Sequence, residues 1–186
     1  MPAAATVEAP TGLLYRPELL APDEEAQLGD FVGDLDLREV SMRGRTARRT
    51  VRLYGYDYDY EAGELQPGDP LPSELAWLRD RCADLAGVTS AKLVQALVSR
   101  YPAGAGIGWH RDAPTFGSKV IGVSLLSACR MRFRRNTKDA RSSYALVLER
   151  RSGYVLGGSA RSAWQHSIPA TKALRYSITF RSLRER

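Results

Sequence analysis

Apolar positions in the first part of the chain recur with a helical period. Leu28, Phe31, Val32 and Leu35 fall at i, i+3, i+4 and i+7 behind Pro22-Asp23-Glu24-Glu25. A proline followed by acids suits a first helical turn, where the N–H groups have no intrahelical partner and the dipole is positive. A second stripe, Leu75, Leu78, Cys82 and Leu85, predicts a helix over residues 73–86 closed by Gly87. Elsewhere the period drops to two. Residues 12–15 read as a short entering strand, and residues 49–54 as a strand ending at Tyr54-Gly55. Tyr54, Tyr56, Tyr58 and Tyr60 follow in alternation with Asp57 and Asp59, before a turn-rich linker of Pro67, Gly68, Pro70 and Pro72. From Lys92 onward only short strands are predicted: 92–101, 118–127, 130–135, 143–149, 152–156, 164–168 and 173–181. Two helices followed by seven or eight short strands argue for an α+β, mainly β chain, a jelly roll with its N-terminal helices packed on one outer face.

Composition narrows this picture. A chain of 186 residues suits one core rather than two. Residues 1–11 are expected to be a flexible tail and 12–186 a single domain, with 92–186 as the jelly-roll core. At 44% hydrophobic and 26% charged the balance is that of a globular protein. No apolar run approaches the length of a membrane span, and the N-terminus has neither the basic region nor the apolar core of a secretory signal. Cys82 and Cys129 fit no metal or redox spacing and read as buried thiols in a reducing, cytoplasmic setting. A monomer is expected.

Charge adds a partner class. The formal net charge is +6 and the pI about 9.5, which attracts polyanions. Arg43, Arg45, Arg48, Arg49 and Arg52 form one cluster, and Arg130, Arg132, Arg134, Arg135, Lys138 and Arg141 a second. A solvated basic face would explain either cluster alone. Two of them beside a tyrosine-rich segment point toward nucleic acid.

The candidate chemistry sits in Ser99-Arg-Tyr-Pro-Ala-Gly-Ala-Gly-Ile-Gly-Trp-His-Arg-Asp112. The chain has two histidines, His110 and His166, and the first is followed two positions on by Asp112. In an extended segment those two side chains share a face. With His166 they would make two imidazoles and one carboxylate around a metal, a set that leaves positions open and favours non-haem Fe(II). The 11 aspartates make a chance H-x-D a roughly one-in-eight event, so the motif is weak by itself. Gly104, Gly106 and Gly108 strengthen it by letting the backbone turn sharply and approach a ligand. So does Arg175-Tyr-Ser-Ile-Thr-Phe-Arg181, which alternates Arg175, Ser177, Thr179 and Arg181 with Tyr176, Ile178 and Phe180. One side of such a strand suits a core and the other a wet, functional interior.

The order of H-x-D, distal histidine and Arg-Tyr-x-x-Thr-Phe-Arg resembles the AlkB family of Fe(II)/2-oxoglutarate dioxygenases, from about Arg43 to the C-terminus. The resemblance implies a double-stranded β-helix, and in a closed roll strands from opposite halves can bring His110 and His166 together at one mouth. It implies His110, Asp112 and His166 as iron ligands, Arg175 and Tyr101 on the distal carboxylate of 2-oxoglutarate, and Arg181 near the chelating end. Where the family commonly has asparagines, this chain has Ser99 and Ser177, both shorter hydrogen-bonding groups. Dioxygen is the second cosubstrate, and oxidative dealkylation of a nucleobase, in single-stranded or base-flipped DNA or RNA, is the implied reaction. Residues 43–60 then become the substrate segment, with Tyr54 as the stacking ring and Arg45, Arg48 and Arg49 as phosphate contacts. Trp109 and Trp164 flank the ligands, to line the pocket or to shield the iron. Some relatives carry an acid just beyond the H-x-D to face a cationic base, yet no Asp or Glu occurs here between Asp112 and Asp139. Three readings share these residues: a nucleobase dealkylase, the same chemistry on a protein side chain, and a catalytically silent nucleic-acid-binding module.

Overall fold

In the computed structural model, which describes residues 8–42, 45–59, 62–138 and 140–185 and only the backbone of Met42 and Arg45, the chain alternates short strands with three helices. In order they are β1 (Leu13–Arg16), α1 (Pro22–Gly33), β2 (Arg38–Met42), β3 (Arg45–Tyr54), β4 (Tyr56–Asp59) and β5 (Glu64–Pro67). Then come α2 (Ala76–Ala86), β6 (Gln95–Tyr101), β7 (Ile107–His110), β8 (Phe116–Leu125) and β9 (Cys129–Asn136). The chain finishes with β10 (Arg141–Leu148), β11 (Gly153–Leu156), α3 (Gly158–Ser162), β12 (Gln165–Ile168) and β13 (Arg175–Leu183). Arg43 and Tyr60 lie outside the described residues, as does the side chain of Arg45.

The strands form two sheets and a hairpin. Seven strands lie in the order β1-β11-β8-β13-β6-β3-β2, four in the order β10-β9-β12-β7, and β4 pairs with β5. Every pairing among the described strands is antiparallel. This is the jelly roll that the strand spacing predicts. Helices α1 and α2 pack on the outer face of the larger sheet, where Leu28, Leu78 and Cys82 meet Val98, Ile121, Val123, Ile178 and Phe180. A second apolar cluster between the sheets contains Val120, Met131, Phe133, Leu148, Leu156, Trp164 and Ile168. Each such side chain stabilises by about 1.5–3 kcal/mol when fully buried.

The larger sheet is therefore buried on both faces, and β13 runs through its centre between β8 and β6. Tyr176, Ile178 and Phe180 face the helices, while Arg175, Ser177, Thr179 and Arg181 face the cavity between the sheets. All seven are buried, so the arginines are not a solvated face.

α1 begins, and α2 ends, where the sequence predicts. Ala21 has no capping side chain, and its N–H donates instead to Glu24 Oε2 at 2.9 Å. A single 3₁₀ turn, Ser73–Leu75, precedes α2, and Gly87 closes it in the left-handed region at φ 64°. Among the described residues, no helix is long and apolar enough to cross a membrane.

Candidate active site

The two histidines meet as facing residues of one strand pair. β7, from the first half of the roll, pairs with β12, from the second, in the four-stranded sheet, and His166 sits directly opposite His110. Facing residues of an antiparallel pair hold their Cβ atoms about 4.5–5.5 Å apart, and the two ring centroids are 4.2 Å apart. β7 stops at His110 and Asp112 follows in the loop, with Oδ2 3.7 Å from His166 Nε2. One ligand atom from each of His110, Asp112 and His166 lies within 4.8 Å of the others, so this group can hold a metal ion.

Surrounding groups orient the three. His110 Nδ1 lies 2.8 Å from the Gly108 carbonyl, which can only accept; Nδ1 therefore carries the proton and Nε2 is free to ligate. Arg181 Nη2 holds Asp112 Oδ1 at 2.9 Å. Burial pushes the Asp112 pKa up, but Arg181 and the two histidines outweigh it and leave the carboxyl below its ordinary value. Burial pushes His166 down to about 4, helped by His110. At neutral pH Asp112 is thus ionised and His166 an uncharged imidazole, the states in which each can ligate.

The loop that carries Asp112 is held by Arg161 of α3, a residue that no sequence motif marks. Its Nη1 donates to the Asp112 carbonyl at 3.1 Å, Nη2 to those of Ala113 at 3.0 Å and Phe116 at 3.2 Å, and Nε to that of Gly117 at 3.2 Å. Of the three glycines before His110, Gly106 has the closest backbone neighbour: a Cβ there would come within 2.5 Å of the Ile168 carbonyl oxygen.

Behind the triad lies a cavity of about 230 Å³ whose lining includes Arg49, Ser99, Tyr101, Trp109, Arg175, Ser177 and Arg181. Arg175 is wholly buried. Its Nε donates to Ser124 Oγ at 2.9 Å and its guanidinium carbon lies 5.1 Å from the Tyr101 ring centroid. Nη1 and Nη2 have no hydrogen-bond partner among the described residues. An unpaired buried charge is costly, and two orphaned, parallel donors fit a carboxylate of 2-oxoglutarate. The donor set at the triad likewise fits Fe(II).

The predicted substrate residues separate. Tyr54 faces the helices and is buried in the outer core, so it cannot offer a ring to a base. Arg49 turns inward to the cavity, with Nη1 3.1 Å from Ser99 Oγ. Both placements have one cause: alternation gives two faces, and only the register against β6 decides which is inner. Arg48 is exposed, and its guanidinium lies against Gly104. Trp109 lines the cavity with its ring beneath Arg132 at 5.1 Å and Arg134 at 4.4 Å. Trp164 is buried in the inter-sheet core, with Arg135 5.4 Å from its ring.

A groove adjoins the cavity, sharing Val40, Arg49 and Leu97 with it. Its walls include Tyr58, whose ring is 5.7 Å from that of Phe116, and the carboxylates Glu39, Asp57 and Asp59. Acidic groups thus reach the mouth from β2 and β4 and not from the loop beyond Asp112.

Residues 26–181 match the family model of the 2OG-Fe(II) oxygenase superfamily. Similar curated proteins include the tRNA (carboxymethyluridine(34)-5-O)-methyltransferase ALKBH8 of Mus musculus, 29% identical over 171 residues that cover 88% of this chain and 25% of that one. The Alkylated DNA repair protein ALKBH8 homolog of Arabidopsis thaliana is 31% identical over 185 residues, covering 87% of this chain and 51% of that one. The chain therefore spans between a quarter and about half the length of these relatives. The structure of OsALKBH1 superposes with a TM-score of 0.69 at 14% sequence identity, over 94% of this chain and 98% of that one, and so shares its fold. The protein belongs to the 2OG-Fe(II) oxygenase superfamily as an AlkB-like member, whose cofactor is Fe(II) and whose cosubstrates are 2-oxoglutarate and dioxygen.

Proposed function

We propose that this oxygenase removes alkyl groups from nucleobases of DNA or RNA, with His110, Asp112 and His166 holding Fe(II) and Arg175, beside Tyr101, receiving the distal carboxylate of 2-oxoglutarate. When bound, iron and cosubstrate supply the oxidation: dioxygen gives one atom to the alkyl carbon and one to succinate, carbon dioxide is lost, and the hydroxylated alkyl group leaves as an aldehyde. The chain's own residues supply placement. Gly108 fixes the His110 tautomer, Arg181 holds Asp112, and Arg175 neutralises a carboxylate at a fully buried position.

The observation that carries the substrate class is the groove at the cavity mouth. A base in a duplex has to be extruded to reach the triad, and Tyr58 offers it an aromatic face, a contact worth about 1–3 kcal/mol. Glu39, Asp57 and Asp59 complement the positive charge of an N-alkylated base, although Asp57 shares its carboxylate with Arg38 at 2.6 Å. Phosphates have their own partners on the four-stranded sheet. Arg130, Arg132, Arg134, Arg135 and Arg141 form no ion pair among the described residues. The β3 cation Arg52, in contrast, is paired with Asp69. The names of the relatives, one for tRNA and one for alkylated DNA, also support a nucleic-acid substrate.

Succinate release tests the reading when measured against N-methylated single-stranded DNA, RNA, tRNA and methylated peptides. Stimulation by a methylated oligonucleotide, with loss of the methyl group, is expected. Stimulation by peptides alone would replace nucleobases with a protein side chain.

A further inference from the structure

We propose that Arg49 is a second cosubstrate arginine, closing on the distal carboxylate of 2-oxoglutarate from the side opposite Arg175; this rests on the cosubstrate placement proposed above. The sequence leaves that end of the cavity short of a donor, since Ser99 is too small to replace an amide side chain. In the structure Arg49 takes the space. β3 and β6 run side by side with Thr50 opposite Arg100 and Val51 opposite Ser99, so alternation turns Arg49 to the cavity side.

Arg49 Nη1 is 3.1 Å from Ser99 Oγ, which can accept its hydrogen. Its guanidinium carbon lies 5.9 Å from the centroid of Tyr101, and that of Arg175 lies 5.1 Å from the same centroid. Two cations converging on one ring repel each other unless an anion joins them. Among the described residues lining the cavity Asp112 is the one carboxylate, and Arg181 already holds it at 2.9 Å. Arg49 forms no ion pair among the described residues, and both terminal nitrogens of Arg175 are orphaned. A carboxylate with two oxygens answers both guanidiniums at once. Ser99 then acts as the rest on which Arg49 is positioned and need not touch the ligand. With Arg49 engaged inward, its charge no longer opposes a cationic base in the groove.

The test is direct binding to the full chain loaded with Mn(II), by calorimetry without oxygen, using 2-oxoglutarate and 2-oxopentanoate. The second compound keeps the chelating keto acid but has a methyl in place of the distal carboxylate. Arg49→Gln is expected to weaken 2-oxoglutarate by about tenfold or more while leaving 2-oxopentanoate within about twofold. Arg49→Lys, which keeps the charge but not the fork, should fall between. Equal loss for both ligands, or unchanged 2-oxoglutarate binding, overturns the assignment. Arg175→Ala separates the two levels of the argument. If it too leaves 2-oxoglutarate unaffected, the cosubstrate placement itself fails; if it alone weakens binding, only the role of Arg49 falls.

Discussion

Arg175 sits fully buried with two unanswered donors, so it stabilises a ligand complex at the expense of the free protein. Arg175→Met keeps the volume and removes the charge. It should raise the unfolding midpoint of the ligand-free protein, by an amount worth about 1 kcal/mol or more, and abolish the further rise that 2-oxoglutarate gives the wild type. Thermal unfolding with and without the cosubstrate reads both effects. Arg161→Lys exchanges a fork that donates to four carbonyls for a point charge. Mn(II) affinity should fall about 10–100-fold, as for other groups that orient a ligand, and titration of the metal alone measures it. The contrast shows what a sequence yields at this scale. His110, Asp112, His166 and Arg175 are legible because few residue types can do their chemistry. Arg161 is not, because it binds backbone carbonyls that any sequence provides, and Arg49 and Tyr54 exchange places because strand parity is invisible until β3 is set against β6.

Among the elements, α1 owes its seat to an acid on its buried side. The Glu25 side chain is 3% exposed, takes the Leu126 N–H at 2.8 Å and is bridged by Arg150 at 2.7 Å. Burial raises its pKa, yet Arg150 and the Leu126 N–H together leave it below its ordinary value. A depressed folded value means the carboxylate stabilises the fold above the unfolded pKa and loses that effect as pH falls through the folded one. Glu25→Gln should therefore cost about 1–3 kcal/mol in urea unfolding near pH 7, the half-exposed Arg150 keeping the figure modest. The gap between variant and wild type should narrow below about pH 4. The stripe Leu28, Phe31, Val32 and Leu35 announced this helix; Glu25 looked like one more acid of its first turn, since only the fold brings Arg150 to it. The short pieces β7 and α3 are not legible in the sequence for a related reason. Four or five residues with glycine among them carry too little periodicity to read, and their neighbours in the sheet hold them in place.

For the molecule as a whole, charge and chemistry occupy separate surfaces. Arg130 and Arg141 are exposed on the four-stranded sheet, while Tyr58 stands at the groove. Arg130→Ala or Arg141→Ala should lower the slope of log affinity against log salt by about 0.7–0.9 for each phosphate no longer neutralised, across oligonucleotide sequences. Tyr58→Ala should leave that slope alone and reduce single-turnover demethylation. An unchanged slope in both arginine variants would remove the sheet from the binding face. The same division extends to the loop after Asp112. Arg161 grips main-chain oxygens there, and those are identical in every amino acid. Positions 113–115 are therefore a blank margin beside a fixed text: their side chains can be rewritten while Asp112 keeps its place. A library confined to those three codons should keep its Mn(II) affinity, because the grip on the loop does not read side chains.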